Sequence, residues 1–181
     1  RNVIWNIEFL NTYTDKEKDI LGKYSSSLFT LNTFYTANKI IVGRSIEPNS
    51  EEFLLKYWNL IVKYMKQWQE LQSREITKVD LRENFIATQS IVIQAFGRIG
   101  NYFYTNPNNM DVILQQLEKI NWSRNAQQWY MRAIGKKGRI ITNKKAALLI
   151  SNVIKKEIGI PLSQEEEDAE IQLKKTIENR G

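Results

Sequence analysis

Apolar residues recur at steps of three and four along most of this chain, and that spacing restricts it to helices packed on helices. Phe53, Tyr57, Ile61, Tyr64, Met65 and Trp68 form one such stripe; Leu28, Leu31, Tyr35 and Ile40 or Ile41 form another. On a helix of about 3.6 residues per turn such positions share a face, whereas a half-buried strand would need strict alternation. Three Pro and eight Gly in 181 residues are too few for a loop-rich β protein.

Capping and stop residues divide the pattern into segments. Ser25, Ser26 or Ser27 is expected to cap a helix to about Val42, with Gly43 as its stop. Asn49 and Glu52 have capping-box spacing ahead of the stripe that runs to Trp68. Thr77 and Asp80 repeat the signature before a long pattern from Val79 to about Tyr104. Gly97 and Gly100 lie inside that pattern and each costs about 1 kcal/mol relative to Ala, so close approach of another backbone is expected there. Asn108 or Asn109 is expected to start a short helix to about Ile120, and Asn125–Ala133 another. Thr142 is expected to cap a helix to Ile158, stopped by Gly159 and Pro161. Ser163 and Glu166 form a last box before a helix to about Glu178.

The expected fold is all-α, about seven helices in one orthogonal or bundle-like domain. A short strand or docked connector is expected from Val3, Ile4, Trp5, Ile7, Phe9 and Leu10. Because the chain opens on Arg1 rather than Met, residues 1–24 are expected to be a connector from an absent N-terminal domain, and residues 25–181 the helical C-terminal domain.

Composition removes whole classes of chemistry. There is no histidine and no cysteine. A Cys/His zinc site, a Ser-His-Asp relay and a thiol nucleophile are therefore excluded. The run Glu165-Glu166-Glu167-Asp168 has the charge to hold Mg²⁺, but such runs more often fill the first turn of a helix. No catalytic residue, metal ligand or cofactor is assigned. No stretch reaches the roughly 18 apolar residues of a membrane span, and the opening residues lack the apolar core of a secretory leader.

Charge is distributed unevenly. Between Trp122 and Ile160 there are nine bases and a single acid, Glu157. Between Ser163 and Gly181 there are six acids and three bases. A cluster of bases beside glycines and a helix start suits a phosphate backbone, although a solvated face remains the alternative. In GKKGRIITNKK (Gly135–Lys145), two glycines allow the backbone to turn, and Lys144 and Lys145 fall in a first helical turn, where positive charge opposes the dipole. The candidate DNA-binding residues are Arg124, Arg132, Lys136, Lys137, Arg139, Asn143, Lys144, Lys145, Lys155 and Lys156, with Asn152 a further residue able to reach base edges. Trp58, Trp68, Trp122 and Trp129 fall at helical spacings and are expected in the core; the last two border the basic region, where stacking on a base is the alternative.

Five strings occur in order: LFTLNTFYTANKI (Leu28–Ile40), YWNLIVKYMKQWQE (Tyr57–Glu70), IVIQAFGRIGN (Ile91–Asn101), INWSRN…WYMRAI (Ile120–Ile134) and NVIKKEIGIPLSQEEEDAE (Asn152–Glu170). Together they resemble the C-terminal part of the DndB family of DNA sulfur modification proteins, among the DGQHR-domain proteins. The DGQHR motif itself is absent here, so no activity of the domain that carries it transfers. The resemblance implies a bacterial cytoplasmic protein encoded with DNA phosphorothioation enzymes, which binds duplex promoter DNA of its own cluster as a transcriptional repressor. It also admits DNA modification proteins as partners, and a homo-oligomer. The alternative function is an interaction or oligomerisation module without direct DNA binding. A third, enzymatic reading would place the activity in the absent domain.

Overall fold

Residues 3–44 and 46–180 are described by a computed structural model of the chain. Among them are nine α-helices and one two-stranded parallel sheet, so the protein is predominantly α-helical. The extra helices arise where long apolar patterns are cut by backbone turns.

The first residues form a 3-10 turn (Ile4–Asn6) and α1 (Glu8–Tyr13), followed by β1 (Thr14–Asp15). No strand runs through Val3–Leu10. Instead Val3, Ile4, Ile7, Phe9 and Leu10 are buried, and Phe9 stacks on Trp68 with ring centroids 5.3 Å apart. β1 pairs in parallel with β2 (Phe29–Thr30). That pairing holds the chain extended up to Thr30, whose side chain accepts from the Thr33 amide and caps α2 (Leu31–Val42). The cap is thus Thr30 rather than a serine of the 25–27 run, while Gly43 ends α2 at φ 67 as expected.

α3 (Ser50–Tyr64) begins without a box between Asn49 and Glu52, since Asn49 makes no side-chain cap. Ser50 Oγ accepts from the Glu47 amide instead and bonds the Tyr104 hydroxyl. Met65 then turns extended (φ −82, ψ 99) and starts α4 (Lys66–Gln72), so one apolar stripe wraps around a bend. The Thr77–Asp80 capping box forms and opens α5 (Lys78–Asn84). The expected long helix breaks after it: Phe85 bridges Ser123, and the Ile86 amide donates to the Trp122 carbonyl at 3.0 Å. Those partners lie nearly forty residues away, beyond the reach of local periodicity.

α6 (Ser90–Thr105) is the central element, packed between α2 and α8 (Lys144–Ile158). Nine of its residues are buried, as befits a helix covered on several sides. Gly97 and Gly100 face α2 as expected. A Cβ on Gly97 would lie 3.2 Å from Ala37 Cα, and one on Gly100 would lie 2.7 Å from Ile41 Cγ1 and 2.8 Å from Tyr57 Cε1. Tyr57 is fully buried, and its hydroxyl donates to the Phe96 carbonyl.

α7 (Met110–Leu114) passes into a 3-10 segment, Gln115–Lys119. Asn125–Ala133 is not a helix. It holds only the 3-10 turn Gln127–Trp129, and Met131 at φ 62 cannot continue one. α9 (Gln164–Glu178) opens with the Ser163–Glu166 capping box and lies against α8. No helix among the described residues is long and apolar enough to cross a membrane.

Candidate nucleic-acid interface

The basic loop is a tight turn. Ile134 bridges Ile140 in antiparallel fashion, and the Gly135 amide donates to the Arg139 carbonyl at 2.8 Å. Gly138 takes φ 74, a conformation glycine adopts without strain. Lys136, Lys137 and Arg139 project from this tip and are exposed. Three residues past its base, Asn143 Oδ1 accepts from the Ala146 amide at 2.8 Å and caps α8. Asn143 rather than Thr142 is therefore the cap, and its side-chain oxygen is engaged within the protein. Lys144 and Lys145 form the start of α8 and are exposed.

The remaining bases of the stretch are engaged by other groups of the protein, and of them only Lys156 is exposed. Arg124 is half-buried and donates to the Arg82 carbonyl at 2.9 Å. Arg132 pairs with Glu170, which also takes Lys156 at 3.1 Å. Lys155 is buried against Glu166 at 2.8 Å, and Arg98 reaches the other oxygen of Glu166 at 3.4 Å. The acidic α9 thus neutralises Arg132, Lys155 and Lys156, which the linear sequence leaves in one positive block. Asn152 is fully buried and donates to the Glu166 carbonyl, so it cannot read a base edge. Trp122 and Trp129 are buried and stacked on each other at 5.3 Å, so neither presents a face to nucleic acid.

Glu166 is the hinge of this neutralisation. Burial pushes its carboxyl upward, but the Lys155 ammonium and the Ser163 amide outweigh that and hold it below its ordinary value. Because Glu166 turns inward, the acidic run is split between a buried ion pair and exposed first-turn acids. The described residues contain no group of three or more acids placed to hold a metal ion.

Five cations of the stretch therefore stay both exposed and uncommitted: Lys136, Lys137, Arg139, Lys144 and Lys145. None of them has a carboxylate within ion-pair distance among the described residues. Lys144 also lines a groove of about 510 Å³ between α2, α6 and α8, where Lys39 and Arg98 join it. The sequence stretch did not point to Lys39 and Arg98, because they belong to helices far from it in the chain. The one local hint was Tyr35 with Lys39 four residues on, a spacing that puts both on one helix face.

No curated protein and no solved structure matches the chain. A family model does match, over residues 1–161: it begins earlier than the five resembling strings, takes in the loop and all of α8, and stops just short of α9. By that match the chain belongs to the DndB family, described as DNA-sulfur modification-associated.

Proposed function

We propose that this protein is a non-enzymatic DNA-binding regulator of a bacterial DNA phosphorothioation gene cluster, acting in the cytoplasm as a repressor on the duplex promoter of that cluster. The observation that carries the reading is the set of five exposed cations on the Gly135–Arg139 tip and the start of α8, without carboxylate partners among the described residues. Membership in a family associated with DNA sulfur modification agrees with a DNA partner. Contacts from such side chains go to phosphates, which position a protein on duplex DNA and carry little sequence information. The absence of His and Cys from the chain supports binding over catalysis.

The test compares two charge-matched pairs on a promoter duplex. Lys144→Gln with Lys145→Gln should weaken binding by up to about tenfold per lost contact, without loss of stability. Lys23→Gln with Lys66→Gln changes charge equally but lies outside the edge. Equal weakening by both pairs would mean that only net charge matters and the interface is misplaced. A second reading, a docking module for modification proteins or for another copy of the chain, is favoured by Ile171 and Ile177, which are 53% and 39% exposed on α9. Absence of binding to duplex DNA even at low salt would favour that module.

A further inference from the structure

We propose that the groove between α2, α6 and α8 binds a nucleotide, its phosphate held by Lys39, Lys144 and Arg98 and its base stacked on Tyr35. This is a second site, distinct from the duplex-binding edge in everything but Lys144.

The groove's chemistry is one-sided. Three cations line it and no carboxylate does. Arg98 is anchored at the rim by its Nε, which donates to Ser151 Oγ at 3.2 Å, and by Glu166 behind it. Its guanidinium is thus positioned while remaining about one-third exposed. Tyr35 is 62% exposed, whereas Trp58, Trp68, Trp122 and Trp129 are buried completely or nearly so. Lys39 Nζ lies over that ring, 5.4 Å from its centre, so a base stacking on that face has to displace this exposed, flexible side chain. A base laid on Tyr35 would leave its phosphate in the groove that the three cations line. Asn32 and Gln94 complete the wall. Each amide offers both a donor and an acceptor, the pairing that base edges present. The volume, about 510 Å³, falls within the roughly 300–1,000 Å³ typical of small-molecule sites.

Cations alone would suit any phosphate. The exposed ring and paired amides are what narrow the ligand to a nucleotide, since stacking is the contact every base can make. A free nucleotide and the phosphorylated end of a DNA strand share this chemistry.

The experiment uses the whole chain in equilibrium dialysis with three probes: dAMP, a 5′-phosphorylated single-stranded tetranucleotide, and inorganic phosphate. One saturable site is expected for dAMP and the tetranucleotide in mutual competition, with inorganic phosphate at least about fivefold weaker for lack of stacking. Comparable affinity for dAMP and tetranucleotide identifies a free nucleotide as the ligand. A preference of about tenfold or more for the tetranucleotide identifies a strand end. Tyr35→Ala should weaken both nucleotides at least about fivefold and leave phosphate unchanged. Lys39→Gln should weaken all three. Both side chains are exposed, so neither change should unfold the protein, and a thermal melt verifies this. The triple variant Lys136→Gln, Lys137→Gln, Arg139→Gln should lose duplex binding yet retain dAMP, which separates failure of the duplex reading from failure of this one. Absence of saturable binding by either nucleotide would overturn the proposal. Inorganic phosphate binding as well as dAMP, or Tyr35→Ala and Lys39→Gln both binding as the unaltered chain does, would overturn it too.

Discussion

Promoter affinity should fall with salt along a log–log slope of about −4.5. Each neutralised phosphate on duplex DNA contributes about −0.9 to that slope. The nine bases between Trp122 and Ile160 would together give about −8 if all met DNA. The structure withdraws four of them: Arg132 and Lys156 to Glu170, Lys155 to Glu166, and Arg124 to the Arg82 carbonyl. Five exposed cations without an ion-pair partner remain, and they set the smaller value. Raising salt from about 50 to 200 mM should therefore weaken binding roughly 500-fold, against about 70,000-fold for nine contacts. Fluorescence anisotropy of a labelled promoter duplex, titrated across a salt series, reads the slope directly. A slope shallower than about −2 would refute DNA binding through this edge. A slope of about −7 or steeper would refute the count, because α9 would then have to leave the face and free Arg132, Lys155 and Lys156.

Two further predictions concern the scaffold that holds the edge in place. Gly100→Ala should lower the melting temperature by about 2–4 °C: overpacking of roughly 1–3 kcal/mol against Ile41 and the hydrogen-bonded Tyr57 exceeds the ~1 kcal/mol gained in helix propensity. Gly97→Ala, whose nearest contacts are about half an ångström looser, should cost less, and a melting temperature raised by Gly100→Ala would show that the α2–α6 contact is misdescribed. Glu166→Gln should destabilise the domain by about 3 kcal/mol at neutral pH, by leaving Lys155 buried without its counter-charge. Because the Glu166 carboxyl is lowered in the folded state, its contribution is complete above its ordinary value of 4.5 and disappears as pH falls through the folded value. The gap between the two proteins' denaturation midpoints should accordingly close in acid, and a gap that stays constant with pH would contradict the ion pair.

Much of the helical architecture was legible because its signals are local. The Thr77–Asp80 and Ser163–Glu166 boxes, the stops at Gly43 and Gly159 and the tight approach at Gly97 and Gly100 are each settled by residues within a turn of one another, or by the steric consequence of a missing Cβ. The misread boundaries share the opposite property. The α5–α6 break rests on hydrogen bonds from Ile86 and Arg124 to distant carbonyls, and the start of α2 on a strand pair with Thr14–Asp15. Asn125–Ala133 resembled a helix by spacing, yet its amides are satisfied by a coiled turn around Trp129.

The sequence by itself determined that the chain is helical, that its positive charge gathers in one stretch, and, through five ordered strings, which family it resembles. Only the tertiary structure decided which of those charges face solvent. Charge along a chain is additive, but its electrostatic effect depends on what lies within a few ångströms, and folding lays the acidic α9 against the basic α8. That placement turns Arg132, Lys155 and Lys156 into ion-pair partners, leaves Lys144 and Lys145 at an open helix start, and brings Lys39 and Arg98 from distant helices to join Lys144 in one groove.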